Sequence, residues 1–123
     1  MNQRDRVILR KIVEEATVLA KMLDGVDESI FLANDEKMRA TCMTLINIGE
    51  LVKNLTDGFR RHYQQIPWKD IAGLRDVTAH GYFTLRMPDV WIFASTELPV
   101  CVESIRKILD DEVNTGVLAR QHH

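Results

Sequence analysis

The chain has 123 residues, 46% hydrophobic and 28% charged, a size and composition that predict one globular core and exclude a disordered chain. Its 16 Lys and Arg stand against 18 Asp and Glu, a formal net charge of −2, so no bulk positive field draws it onto nucleic acid or anionic membranes. No apolar run approaches the roughly 20 residues that span a bilayer, and Met1 to Arg10 has no apolar signal-peptide core, so a single cytoplasmic domain over residues 1–123 is expected.

From about Asp5 to Leu23, Ile8, Ile12, Leu19 and Leu23 share one face, with Leu9, Val13, Ala16 and Ala20 beside them. Arg10, Glu14, Thr17, Lys21 and Asp24 follow the opposite face, which predicts an amphipathic helix ended by Gly25. A short connection with Ile30, Phe31 and Leu32 leads to Asn34, a predicted N-cap with Asp35 and Glu36 in the first turn. The second helix is predicted to run to about Leu55, with Met38, Cys42, Leu45, Gly49 and Val52 inward and Glu36, Asn47, Glu50 and Asn54 outward. Asp57-Gly58 breaks the pattern, and Phe59 to Tyr63 offers one further turn. Pro67 opens a short third helix that ends near Ala79 or His80, before Gly81. A fourth begins near Pro88 and keeps Trp91, Leu98, Val102, Ile105 and Leu109 in phase through Pro99, which predicts a kink there and not a stop. No segment alternates with period two, so the expected fold is all-α, an up-and-down four-helix bundle with a short extra helical turn.

Cys42 and Cys101 lie inside apolar periodic stretches and read as buried thiols in a reducing compartment. No phosphate-binding glycine loop, nucleophile elbow, His-Glu-x-x-His or Cys/His cluster at ligand spacing occurs, so no metal site and no cofactor is expected. The terminal His122 and His123 read as inert.

Charge by segment is more informative than the total. Residues 1–58 carry −2 and residues 87–123 carry −3, whereas residues 59–86 hold 5 basic and 2 acidic side chains, +3. That segment contains Arg60, Arg61, Lys69, Arg75 and Arg86 with His62 and His80, a bias that a mixed helix surface also produces by chance. Within it lies Arg75-Asp76-Val77-Thr78-Ala79-His80-Gly81-Tyr82. Asp76 and His80, four apart, let a carboxylate hydrogen-bond an imidazole and favour its protonated form. Arg75 and His80, five apart, point about 140° apart on a straight helix, so their convergence needs a helix end at His80 or a second chain. A guanidinium that holds a phosphodiester and a histidine that moves a proton suffice for RNA cleavage by the ribose 2′-hydroxyl. Spacing alone favours the plainer alternative, a helix end where His80 meets the last carbonyls and Arg75 makes a surface ion pair.

The octet resembles the Arg-x-x-x-x-His-x-Tyr signature of the HepT-like branch of the HEPN superfamily, with Asp76 as the polar residue after the Arg. Ile48-Gly49-Glu50 looks like that branch's Ile-Gly-Glu motif, and Ile66-Pro67-Trp68 with Ile71-Ala72-Gly73-Leu74 is similar to its lead-in. The likeness extends to Leu98-Pro99 and so covers nearly the whole chain; Thr78 departs from it, standing where an apolar residue is usual.

The resemblance implies a HEPN-like homodimer whose motif helices meet at one cleft, acting as a metal-independent endoribonuclease toxin. It implies Arg75 and His80 as catalytic pair, Asp76 as supporting residue and Tyr82 as modification site. It also implies a minimal nucleotidyltransferase antitoxin, encoded nearby, that neutralises the toxin by transferring AMP to the tyrosine. Glu50, on a polar helix face, stays outside the catalytic set. The residues also admit two alternatives: a non-catalytic helical dimer that binds and regulates the nucleotidyltransferase, and a nucleotide-binding accessory subunit that holds phosphates with Arg75 and its basic neighbours.

Overall fold

The computed structural model describes residues 1–74 and 86–121, with side chains described as far as Glu112. All regular structure among the described residues is helical, as the periodicity predicts. Helix α1 spans Gln3–Met22 and buries Ile8, Leu9, Ile12, Ala16 and Leu19, while Ala20 stays exposed. Asn2 caps it, its Oδ1 accepting from the Asp5 amide at 2.7 Å. The chain leaves α1 through Gly25 at φ +72°, a left-handed conformation that costs glycine little.

Where a plain connection is predicted, a one-turn helix α2 covers Glu28–Leu32, capped by Asp27. Five residues carry no readable helical period, so packing and not propensity explains α2. Its Phe31 is fully buried and stacks on Trp91 with centroids 5.1 Å apart. Helix α3 spans Asp35–Lys53; Asn34 accepts from the Lys37 amide at 3.0 Å, the predicted cap. It buries Thr41, Cys42, Leu45, Ile48, Gly49 and Val52 and leaves Glu36, Asn47, Glu50 and Asn54 exposed.

Asp57-Gly58 does not interrupt helical structure but opens helix α4, Asp57–His62, capped by Thr56. Asp and Gly resemble breakers in sequence; here the Thr cap and a first-turn carboxylate favour an N-terminus. Helix α5, Trp68–Gly73, follows Pro67, and the predicted end of this helix at Ala79 or His80 lies outside the described residues.

The last helical stretch begins with α6, Met87–Ile92, widens into a π-helical turn over Phe93–Glu97, and continues as α7, Leu98–Gln121. Pro99 therefore does not stop the helix. Proline has no N–H to give Ser95 and its ring crowds that carbonyl. The turn before it winds wider, with the Leu98 amide bonded to Phe93 five residues back. The Ser95 and Thr96 hydroxyls donate to the Trp91 and Ile92 carbonyls beside the wide turn.

Helix α1 packs on α3 and α7, α3 on α5, and α2 on α3 and α6, around one core that runs from Ile8 to Ile108. One polar contact in it has no signal in the sequence pattern. Asp5, 2% exposed, accepts from both the Thr56 amide (3.0 Å) and the Thr56 hydroxyl (2.7 Å), joining the start of α1 to the cap of α4. No helix among the described residues is long and apolar enough to cross a membrane.

Candidate nucleic-acid interface

Arg75, Asp76, His80 and Tyr82 all lie outside the described residues, as does Thr78; what can be described is the frame on either side of them. The N-terminal side is α5. Trp68 (5% exposed) and Ile71 (1%) sink it into the core. The Trp68 indole packs on Phe59 at 5.7 Å and donates Nε1–H to the Tyr63 carbonyl at 2.9 Å. A short helix with two such anchors is fixed by packing where its own length would not hold it. The C-terminal side is Arg86, which precedes α6 and faces Asp89 at 3.9 Å with both side chains largely exposed.

The positive segment is sorted by the fold. Arg60 and Arg61, in the last turn of α4, and Lys69, in the first turn of α5, line one groove of about 650 Å³. Gln64, Ile66, Pro67, Trp68 and Ala72 complete its walls, and Asp57 is the single carboxylate there among the described residues. Asp57 forms an ion pair with Arg60, whereas Arg61 and Lys69 are exposed and have no ion-pair partner among the described residues. The counter-charge at Asp57 escapes the sequence reading because Asp57-Gly58 looks like a breaker; the Thr56 cap is the signal that could have revealed it.

Arg86 does not line this groove, and His62 faces elsewhere. It borders a separate depression with Met1, Asn2, Asp5, Thr56, Gly58, Phe59, Tyr63 and Glu112. The Tyr63 hydroxyl donates there to Glu112 at 3.4 Å. Burial pushes the Tyr63 phenol above its ordinary value, and the charges of Glu112 and Asp111 push it further. The Cys42 thiol is likewise raised by burial, and that of Cys101 by burial and by Glu97, so both are poor nucleophiles.

Of the Ile48-Gly49-Glu50 motif, Ile48 and Gly49 are buried on α3. Glu50 is exposed and lines a polar depression with Lys11, Glu14, Glu15, Asn47, Leu51 and Asn54, between α1 and α3.

The family model described as "Ribonuclease HepT-like" matches residues 12–108, a span that includes all of residues 75–82 and the groove. The chain is 34% identical over 107 residues to "Putative RNase TTE0752" of Caldanaerobacter subterraneus, covering 87% of this chain and 96% of that protein. It is 31% identical over 106 residues to "Putative RNase MJ0127" of Methanocaldococcus jannaschii, 86% of this chain and 88% of the relative. A third relative, "Probable ribonuclease HepT" of Thermococcus cleftensis, is 26% identical over 99 residues, 80% and 90% of the two chains. No solved structure gives a significant match. With a family match over most of its length and relatives that it spans almost end to end, this all-α chain belongs to the ribonuclease HepT-like family.

Proposed function

We propose that the protein is a metal-independent endoribonuclease, working as a homodimer, and the toxin of a toxin–antitoxin pair. The observation that carries this reading is the family match across residues 12–108, which takes in Arg75, Asp76, His80 and Tyr82 and the basic groove that precedes them. In the proposed reaction the neutral His80 imidazole removes the proton of a ribose 2′-hydroxyl. The 2′-oxygen bonds to the adjacent phosphorus, the bond from phosphorus to the 5′-oxygen breaks, and a proton is returned to that leaving oxygen. The products are a 2′,3′-cyclic phosphate and a 5′-hydroxyl, with no water or redox partner consumed. Arg75 stabilises the charge that gathers on the phosphoryl oxygens, a contribution worth on the order of 10²–10³-fold. Asp76 orients the imidazole. A homodimer answers the angular separation of Arg75 and His80, because each protomer needs only to present its pair towards a shared cleft.

Neutralisation is assigned to AMP transfer onto Tyr82 by a minimal nucleotidyltransferase encoded nearby. The chain has only two tyrosines, and the other, Tyr63, suits this chemistry poorly. Its hydroxyl is held by Glu112, its phenol is harder to ionise than usual, and the neighbouring carboxylates repel a nucleoside triphosphate.

The test is to incubate wild-type protein, Arg75→Ala, His80→Ala and the double variant with RNA in EDTA. Cleavage by the wild type, with a loss of roughly 10²–10⁴-fold in His80→Ala, is the expected result. Equal cleavage by all four proteins, or cleavage only with added metal, refutes the mechanism.

A further inference from the structure

Arg60, Arg61 and Lys69 come from two helices joined by a sharp connection, and the fold brings them to one groove in a protein whose net charge is −2. Gathering like charges costs free energy unless something opposite is held between them. Asp57 answers only Arg60. We propose that the groove is a second, non-catalytic subsite that holds the phosphodiester backbone of single-stranded RNA next to the point of cleavage. This deepens the ribonuclease reading and rests on it for the identity of the polymer.

Four features of the groove fit that ligand. Its donors are two guanidiniums, an ammonium and the Gln64 amide, a set suited to phosphate oxygens and indifferent to base identity. Both of its walls are fixed before any ligand arrives: α4 by the clasp of Asp5 on Thr56, α5 by Trp68 and Ile71 in the core. A preformed site avoids the ordering cost of a mobile one. Ala72, on the groove wall, precedes Arg75 by three residues, so covalent geometry limits the separation of the two backbones to about 11 Å. The proposed catalytic arginine therefore follows the groove wall directly in sequence. A depression of about 650 Å³ has room for a stretch of flexible strand.

The experiment uses full-length protein in the His80→Ala background, so that binding is read without cleavage, and a labelled single-stranded RNA titrated by fluorescence anisotropy across a salt series. Arg61→Ala/Lys69→Ala is expected to weaken binding about tenfold near physiological salt. It should also flatten the log K against log salt slope by about 1.4, since each lost phosphate contact on a single strand accounts for about 0.7. Asp57→Asn, which frees Arg60 and leaves the basic set intact, is expected to tighten binding severalfold. With His80 present, the Arg61→Ala/Lys69→Ala protein should show a raised KM and an unchanged kcat.

Unaltered affinity and salt slope in both variants overturn the proposal, as does a fall in kcat at constant KM. So does loss of binding to an acidic partner protein with RNA binding intact, which makes the groove a protein site. If wild type cleaves no RNA but the charge variants still shift RNA binding as stated, the ribonuclease reading fails and the groove stands. If wild type cleaves and the variants bind normally, the groove alone fails.

Discussion

Asp5 offers a sharp test of the packing account, because one buried carboxylate bridges two elements 51 residues apart in sequence. Replacing it with Ala removes two hydrogen bonds to a charged acceptor, each worth about 1.5–3 kcal/mol when both partners are shielded. Two effects reduce the sum. Thr56 is exposed, so its amide and hydroxyl recover bonds to water, and the variant no longer buries a carboxylate. The net cost expected for Asp5→Ala is therefore about 2 kcal/mol, a fall in Tm of roughly 8 °C for a chain of this length. Asp5→Asn keeps an acceptor for the Thr56 amide and should cost about half as much. Thr56→Val removes the hydroxyl and its cap bond to Phe59, and the Asp5→Ala/Thr56→Val cycle should return a coupling of about 1 kcal/mol. Urea unfolding at fixed protein concentration measures the four variants against wild type. An Asp5→Ala cost under about 0.5 kcal/mol, or a coupling near zero, would refute the claim that this clasp holds α4 against α1.

Two further outcomes follow from the same geometry. Tyr63, Cys42 and Cys101 all have folded pKa values above their unfolded ones, so the folded state keeps protons that the unfolded chain releases. That stability is fully present below the unfolded values and declines as pH rises through the folded ones. Unfolding free energy should thus fall above pH 9, by at most about 1.4 kcal/mol per pH unit for each thiol, and Tyr63→Phe should flatten only the portion above pH 10; a pH-independent stability from 9 to 11 contradicts the assignment. For the proposed modification, mass spectrometry after incubation with a nucleotidyltransferase encoded nearby and ATP should place AMP on the peptide containing Tyr82, and AMP confined to Tyr63 would rule out Tyr82 as the target.

The long elements were readable because they repeat. Ile8, Ile12 and Leu19 on α1 and Leu98, Val102 and Ile105 on α7 keep one face over several turns, and all six are buried. Caps were readable too: Asn34 and Gly25 do locally what their side chains, or the lack of one, favour. What escaped was set at a distance. α2 is too short to show a period, and its reason for forming is Phe31 against Trp91, a contact across 60 residues of chain. Asp5 reads as an ordinary first-turn carboxylate, since nothing nearby says that Thr56 will fold onto it. The unbroken period across Pro99 shows in the sequence that the helix continues, but the wider turn that accommodates it depends on the carbonyls before it. For the site, the family resemblance, not spacing alone, singles out Arg75 and His80, which lie outside the described residues, and segment charge names Arg60, Arg61 and Lys69. Only the fold separated those three from Arg86 and His62 and gathered them around one groove.

The central claim is that the ribose 2′-hydroxyl is the nucleophile, and it is tested most directly by comparing two oligonucleotides of one sequence. An all-RNA strand should be cut by the wild-type protein in EDTA to leave a 2′,3′-cyclic phosphate and a 5′-hydroxyl. The same strand with a single 2′-deoxyribose on the 5′ side of each mapped cut should resist cleavage at those positions. Cutting at the substituted positions, or 5′-phosphate ends from the unsubstituted strand, would contradict the account.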